Sequence, residues 1–176
     1  MKIKSRFGFS LLFGLFTVAC TSKKELSTTD ADKLLRTVFP KELTETIATG
    51  DPATRQKIDN TSLEKDGFVI VRRSNNIDSP FVLFTTKAVA FLVKTKPELE
   101  KQFFQEVLVA RQDLNRIINI QKTGENTASA TYTVKYIDLS PFLQISNLKI
   151  DTTKIYTANF AQEPNGSWII DRTHKE

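Results

Sequence analysis

LNRIINIQKTGENTASATYTVKYIDL, residues 114–139, is the stretch whose reading decides the architecture. Its second arm alternates without a break. Ala128, Ala130, Tyr132, Val134 and Tyr136 fall on one side, and Ser129, Thr131, Thr133 and Lys135 on the other. A period of two with one polar side predicts a strand in an antiparallel sheet, wet on one face. The first arm is rich in isoleucine, and Gly124-Glu125-Asn126 supplies the turn between the arms, so the stretch predicts a long hairpin.

Working outward, FFQEVLVARQ before the hairpin is rich in strand formers, and Ser140-Pro141 after it predicts a short turn or helix. KIYTANF and SWII predict a last hairpin across Glu163-Pro164-Asn165-Gly166, where Asn-Gly is a strong turn signal. Toward the N-terminus, DADKLLRTVFP carries Leu34, Leu35, Val38 and Phe39 at helical spacing, with Thr29 or Asp30 as cap and Pro40 as stop. In KELTETIATG, Leu43 and Ile47 stand four apart, which reads as a second helical segment closed by Gly50. Asp51-Pro52 predicts a helix start that runs toward Lys65, burying Ile58 and Leu63, with Gly67 closing it. FVIVRR and FVLF then read as two short strands around the turn SNNIDSP, and TTKAVAFLV as a short helix capped by Thr85 or Thr86.

The expected fold class is therefore α+β: short N-terminal helices with a hairpin in winged-helix-like order, and a C-terminal antiparallel sheet that the helices cover. LEKDGFVIV, LFTTKAVAFL and ATYTVKY resemble a loosely defined group of uncharacterised bacterial lipoproteins, over Ile58 to Tyr136. That group often has a glycine at or near the place of Ala88, and the resemblance implies no activity and no site residues.

The N-terminus predicts an address. Lys2, Lys4 and Arg6 precede an uncharged run from Phe7 to Ala19, the charged start and apolar middle of a secretory signal. As a helix this run spans roughly 20 Å, against about 30 Å of hydrocarbon, so it is short for a membrane span. It ends Thr17-Val18-Ala19-Cys20, and a small residue directly before cysteine resembles the lipobox of bacterial lipoproteins. The family favours leucine where this chain has Thr17. The resemblance implies diacylglyceryl transfer to the Cys20 sulfur, cleavage before Cys20 and acylation of the new amino group. Two or three acyl chains make anchoring lasting, where one binds marginally. Thr21 stands where aspartate would mark inner-membrane retention in related sorting systems, so the outer membrane is favoured.

The expected organisation is a signal peptide at 1–19, a lipidated cysteine with a flexible polar tether at 20–29, and a single α+β domain at 30–176. Of the net charge of +5, Lys2, Lys4 and Arg6 belong to the leader, leaving 22 cations against 20 anions. Such a balance argues against nucleic acid as a partner.

The chemistry that remains is sparse. Cys20 is the one cysteine, so no intrachain disulfide exists, and His174 is the one histidine, three residues from the end of a solvated tail. Together they leave no His/Cys metal set and no Cys-His or Ser-His-Asp catalysis. Glu98 and Glu100 flank an exposed-looking segment, and Asp138 and Asp151 bracket the Ser140-Pro141 turn, where capping explains acids better than hydrolysis does. Arg72-Arg73 reads as a solvated strand end, and Trp168 as a core residue ahead of a ligand-stacking one. No phosphate-binding glycine loop or acidic calcium loop is present, and no catalytic, cofactor or metal role is assigned.

Three functions are compatible with this. The favoured one is a lipid-anchored, periplasm-facing envelope lipoprotein that binds a protein partner or small ligand through its sheet, without being an enzyme. The second is an envelope hydrolase working with carboxylates alone, which requires a cleft holding converging acids. The third is a purely structural tether or an inhibitor-like module on a cystatin- or NTF2-type sheet, the inhibitor presenting the 137–145 turn with Phe142 exposed.

Overall fold

The computed structural model of the chain describes residues 24–73 and 79–172. The leader, Cys20, most of the turn at 74–80 and His174 lie outside these residues. Among the described residues there are seven strands and three α-helices, the strands forming a five-stranded antiparallel sheet and a separate two-stranded hairpin.

Helix α1, Thr28–Leu35, is capped by Ser27, whose Oγ accepts from the Asp30 amide at 3.1 Å. Thr29 and Asp30, the expected caps, lie inside its first turn. Within the stretch expected as a tether, Leu26 is buried and the Lys24 carbonyl is docked on Trp168 and Gln162. One apolar side chain with a core to enter outweighs the polar composition around it.

The expected helix at KELTETIATG is instead strand β1, Lys41–Ala48. Leu43 and Ile47 share a side in either structure, since a separation of four is also twice a strand period. The alternation of exposed Thr44 and Thr46 with half-buried Glu45 and buried Ile47 is the strand pattern, and threonine favours it. Helix α2, Pro52–Asp59, begins as the Asp51-Pro52 signal predicts and ends at Asp59, six residues before Lys65, with Asn60 as its C-cap. Leu63 is still buried, in a turn segment closed by Gly67 at φ +75°. Strands β2, Val69–Val71, and β3, Val82–Phe84, form the two-stranded hairpin. The segment after β3 is a 3-10 turn, Thr86–Phe91, capped by Thr85, and helix α3 is one turn, Pro97–Glu100.

The two predicted strands between 103 and 122 are one, β4, Phe104–Lys122. It pairs with β1 along its first half and with β5, Thr127–Ile137, along its second. Strands β6, Ile155–Gln162, and β7, Trp168–Asp171, complete the order β1-β4-β5-β6-β7. The Asn165-Gly166 turn joins β6 to β7 with Gly166 at φ +85°, a left-handed position suited to glycine.

Three register shifts on β4 keep one side of it turned to the cores along its length. They fall at Val109, Asn115 and Ile118, each an extra residue opposite a partner strand. Each bulge moves the inward set by one position, giving Val107, Ala110, Gln112, Leu114, Ile117 and Ile120. Two cores line this inner face. Ile47, Ile58, Leu63, Val69, Val82, Val107 and Phe142 form the first, under α2 and the hairpin. Leu26, Ala31, Leu35, Leu114, Ala128, Ala130 and Phe160 form the second, under α1. The outer face carries polar pairs, including Arg111 with Glu42 at 2.9 Å and Lys135 with Asp113 at 3.3 Å.

Candidate functional site

The end of the sheet where α1 begins holds a pocket of about 280 Å³. Its apolar lining comes from Leu26, Ile120, Ala128 and the indole of Trp168. Each arrives for a local reason. Ile120 and Ala128 are inward residues of β4 and β5, close to the turn joining them. Trp168 opens β7 directly after the Asn-Gly turn, on the same side as Ile170 and Phe160.

The rim is charged with both signs: Lys24, Glu25, Lys122 and Glu125, all exposed. The wall nearest the N-terminus is fixed by one carbonyl. Lys24 O accepts from Trp168 Nε1 at 2.9 Å and from Gln162 Nε2 at 3.1 Å. Lys24 Nζ meets Asp30 Oδ2 at 2.8 Å, and this ammonium, with the Ser27 hydroxyl, holds the Asp30 carboxyl below its ordinary range. The Gln162 amide donates to Asn126 O at 2.8 Å, which ties the β6–β7 end to the β4–β5 turn.

A second feature lies on the same face, where Gln112 meets two of the three tyrosines of the chain and the third stacks on one of these. Gln112 Nε2 donates to Tyr136 OH at 3.1 Å and lies 3.4 Å from Tyr156 OH. Tyr132 stacks on Tyr156 with centroids 5.8 Å apart, and Phe39 meets Tyr132 edge-on at 6.0 Å. Partial burial, and then the neighbouring Tyr136 hydroxyl, push the Tyr156 phenol up from its ordinary value. These groups satisfy one another, and the arrangement reads as a hydrogen-bonded aromatic seam that closes the inner face.

The residues singled out from sequence are scattered. Glu98 and Glu100 are exposed on α3. Asp138 is exposed and paired with Arg111 at 3.1 Å, and Asp151 accepts from the Thr153 amide and hydroxyl at 2.9 and 2.7 Å. None of the four lines the pocket, and among the described residues no three His, Cys, Asp or Glu side chains stand within reach of one metal ion. Arg73 is bound to Glu64 at 2.8 Å, with Asp59 at 3.5 Å, while Arg72 is exposed. The two carboxyls that do reach the pocket, Glu25 and Glu125, are exposed beside lysines, whereas a carboxyl serving as general acid near neutral pH is desolvated.

Phe142 is fully buried, ringed edge-on by Phe68, Phe84 and Phe91 at 5.6–6.3 Å. The 137–145 turn therefore offers Phe142 to the core and not to a partner, and the inhibitor-like presentation of Phe142 is corrected. The physical reason is size: a phenyl flanked by a capping serine and proline fills the space between β4 and the hairpin.

Reasoning from sequence missed Lys24, Glu25, Lys122 and Glu125, which sit in a supposed tether and a turn. Trp168 was the available signal, since a large aromatic at the mouth of a turn is often only half covered. Among the described residues no helix is long and apolar enough to cross a membrane. No family model, no curated protein and no solved structure matches the chain.

Proposed function

We propose that the protein is a lipid-anchored, non-enzymatic binding module of a bacterial envelope, held to the outer membrane through acyl chains on Cys20 and facing the periplasm. The anchor rests on the charged start, apolar run and Ala19-Cys20 junction of the sequence. The binding role rests on one observation: a preformed pocket of mixed lining closes the end of the sheet, while the candidate acids are dispersed and exposed. The segment α2, Gly67, β2 and β3, expected in winged-helix-like order, turns its apolar residues to the first core, and Arg73 pairs with Glu64. This supports a small ligand or an envelope protein as partner ahead of nucleic acid.

Metabolic labelling with a clickable palmitate analogue, comparing wild type with Cys20→Ser, tests the anchor. Label on the wild type alone, with the protein in the membrane fraction, is expected. Native mass spectrometry of the purified protein, with a pull-down from solubilised envelopes, tests the binding role. Finding neither a bound small molecule nor a stoichiometric partner would defeat it.

A further inference from the structure

The geometry points to the pocket at Trp168 as a site for a zwitterionic phosphate–ammonium headgroup, presented to it by the membrane that the domain is anchored to. This deepens the reading above and rests on Cys20 as the anchor. Lys24 lies four positions after Cys20, and four extended residues span at most about 14 Å. The docked end of the domain is thus held near the bilayer surface, and it is the end that carries the pocket.

The lining fits such a headgroup in its parts. Lys122 is the rim cation free of the Asp30 pair that engages Lys24, and an ammonium beside a phosphate makes a charge-assisted hydrogen bond. Glu25 supplies a carboxylate for the headgroup ammonium, and the Trp168 indole supplies a ring face for the same cation. Ile120 and Ala128 offer an apolar floor to the glycerol and first methylenes. A volume of about 280 Å³ lies at the small end of ligand sites, which run from about 300 Å³. It holds a headgroup and leaves the acyl chains outside. A rim of two cations and two anions selects neither a simple anion nor a simple cation.

Trp168 is the one tryptophan of the chain, so its emission reports this site alone. The native protein is reconstituted in nanodiscs of phosphatidylglycerol, with or without an equal part of phosphatidylethanolamine, and titrated with glycerophosphoethanolamine or inorganic phosphate. The expected result is different Trp168 emission in the two discs. In the phosphatidylglycerol disc, glycerophosphoethanolamine should reproduce that difference saturably and inorganic phosphate should not. Lys122→Glu should weaken the glycerophosphoethanolamine response at least tenfold, and Lys96→Glu, on the exposed cap of α3, should leave it unchanged. Equal responses to phosphate and glycerophosphoethanolamine would reduce the site to an anion site and overturn the proposal, as would no saturable response. A response to glycerophosphoethanolamine with no difference between discs would leave a free-ligand site and overturn the membrane presentation. Failure of the anchor shows separately, as protein missing from the membrane fraction. The same titration on that soluble protein then judges the pocket by itself.

Discussion

Phe142 shows how one side chain can change the meaning of a loop. It is fully buried against three other phenyl rings, so Phe142→Ala should cost about 3–5 kcal/mol, read as a lower urea midpoint with the slope unchanged. Glu64 offers a pH test. The Arg73 guanidinium and then the Val71 amide hold its carboxyl below the ordinary glutamate range. A depressed pKa in the folded state means stability that is present above the unfolded value of about 4.3 and lost as pH falls through the folded one. Urea midpoints should therefore fall with pH below that value, and Glu64→Gln should remove part of the fall. At Gly166, φ is +85° and a Cβ would meet nothing within 4 Å, so the cost of Gly166→Ala should come from backbone strain alone.

Among the elements, β4 carries the most consequence. Beyond Gln112, where β1 ends its pairing, the side of β4 from Asp113 to Lys122 is matched by no described strand. Such an edge invites pairing with another copy. Here the bulges at Asn115 and Ile118 break the ladder, and the exposed Arg116 adds charge. Arg116→Val should raise self-association in sedimentation velocity without lowering the unfolding free energy by more than about 0.5 kcal/mol. The same strand shows what the sequence made legible. The alternation of β5 and the Asn165-Gly166 turn were readable because each is a local pattern with one structural meaning. The strand β1 was not, because Leu43 and Ile47 satisfy helix and strand alike and only the partner strand decides. The unity of β4 was hidden by its bulges, which shift the inward set by one and erase the period. The site was hidden more deeply. Its wall is held by the Lys24 carbonyl, and a backbone acceptor leaves no mark on residue type.

For the whole molecule, two cores share one sheet, and β4 supplies residues to both. Loss of either core frees half of that strand, so unfolding should be a single transition. Leu63→Ala, in the core remote from Trp168, should cost about 2–5 kcal/mol. It should move the Trp168 emission and the far-ultraviolet circular dichroism midpoints together, whereas a shift confined to one probe would divide the domain in two. The Lys24 clasp bears on a different property, the response to pulling. If Cys20 carries the anchor proposed above and the body is held by a partner, tension would meet the globule at the Lys24 carbonyl, with Leu26 and the eight-residue helix α1 next in line. These would peel away one after another before any strand of the sheet is sheared. Under that proposal the seam between linker and body would act as a mechanical fuse, yielding first and leaving the sheet intact for it to close again when the load is gone.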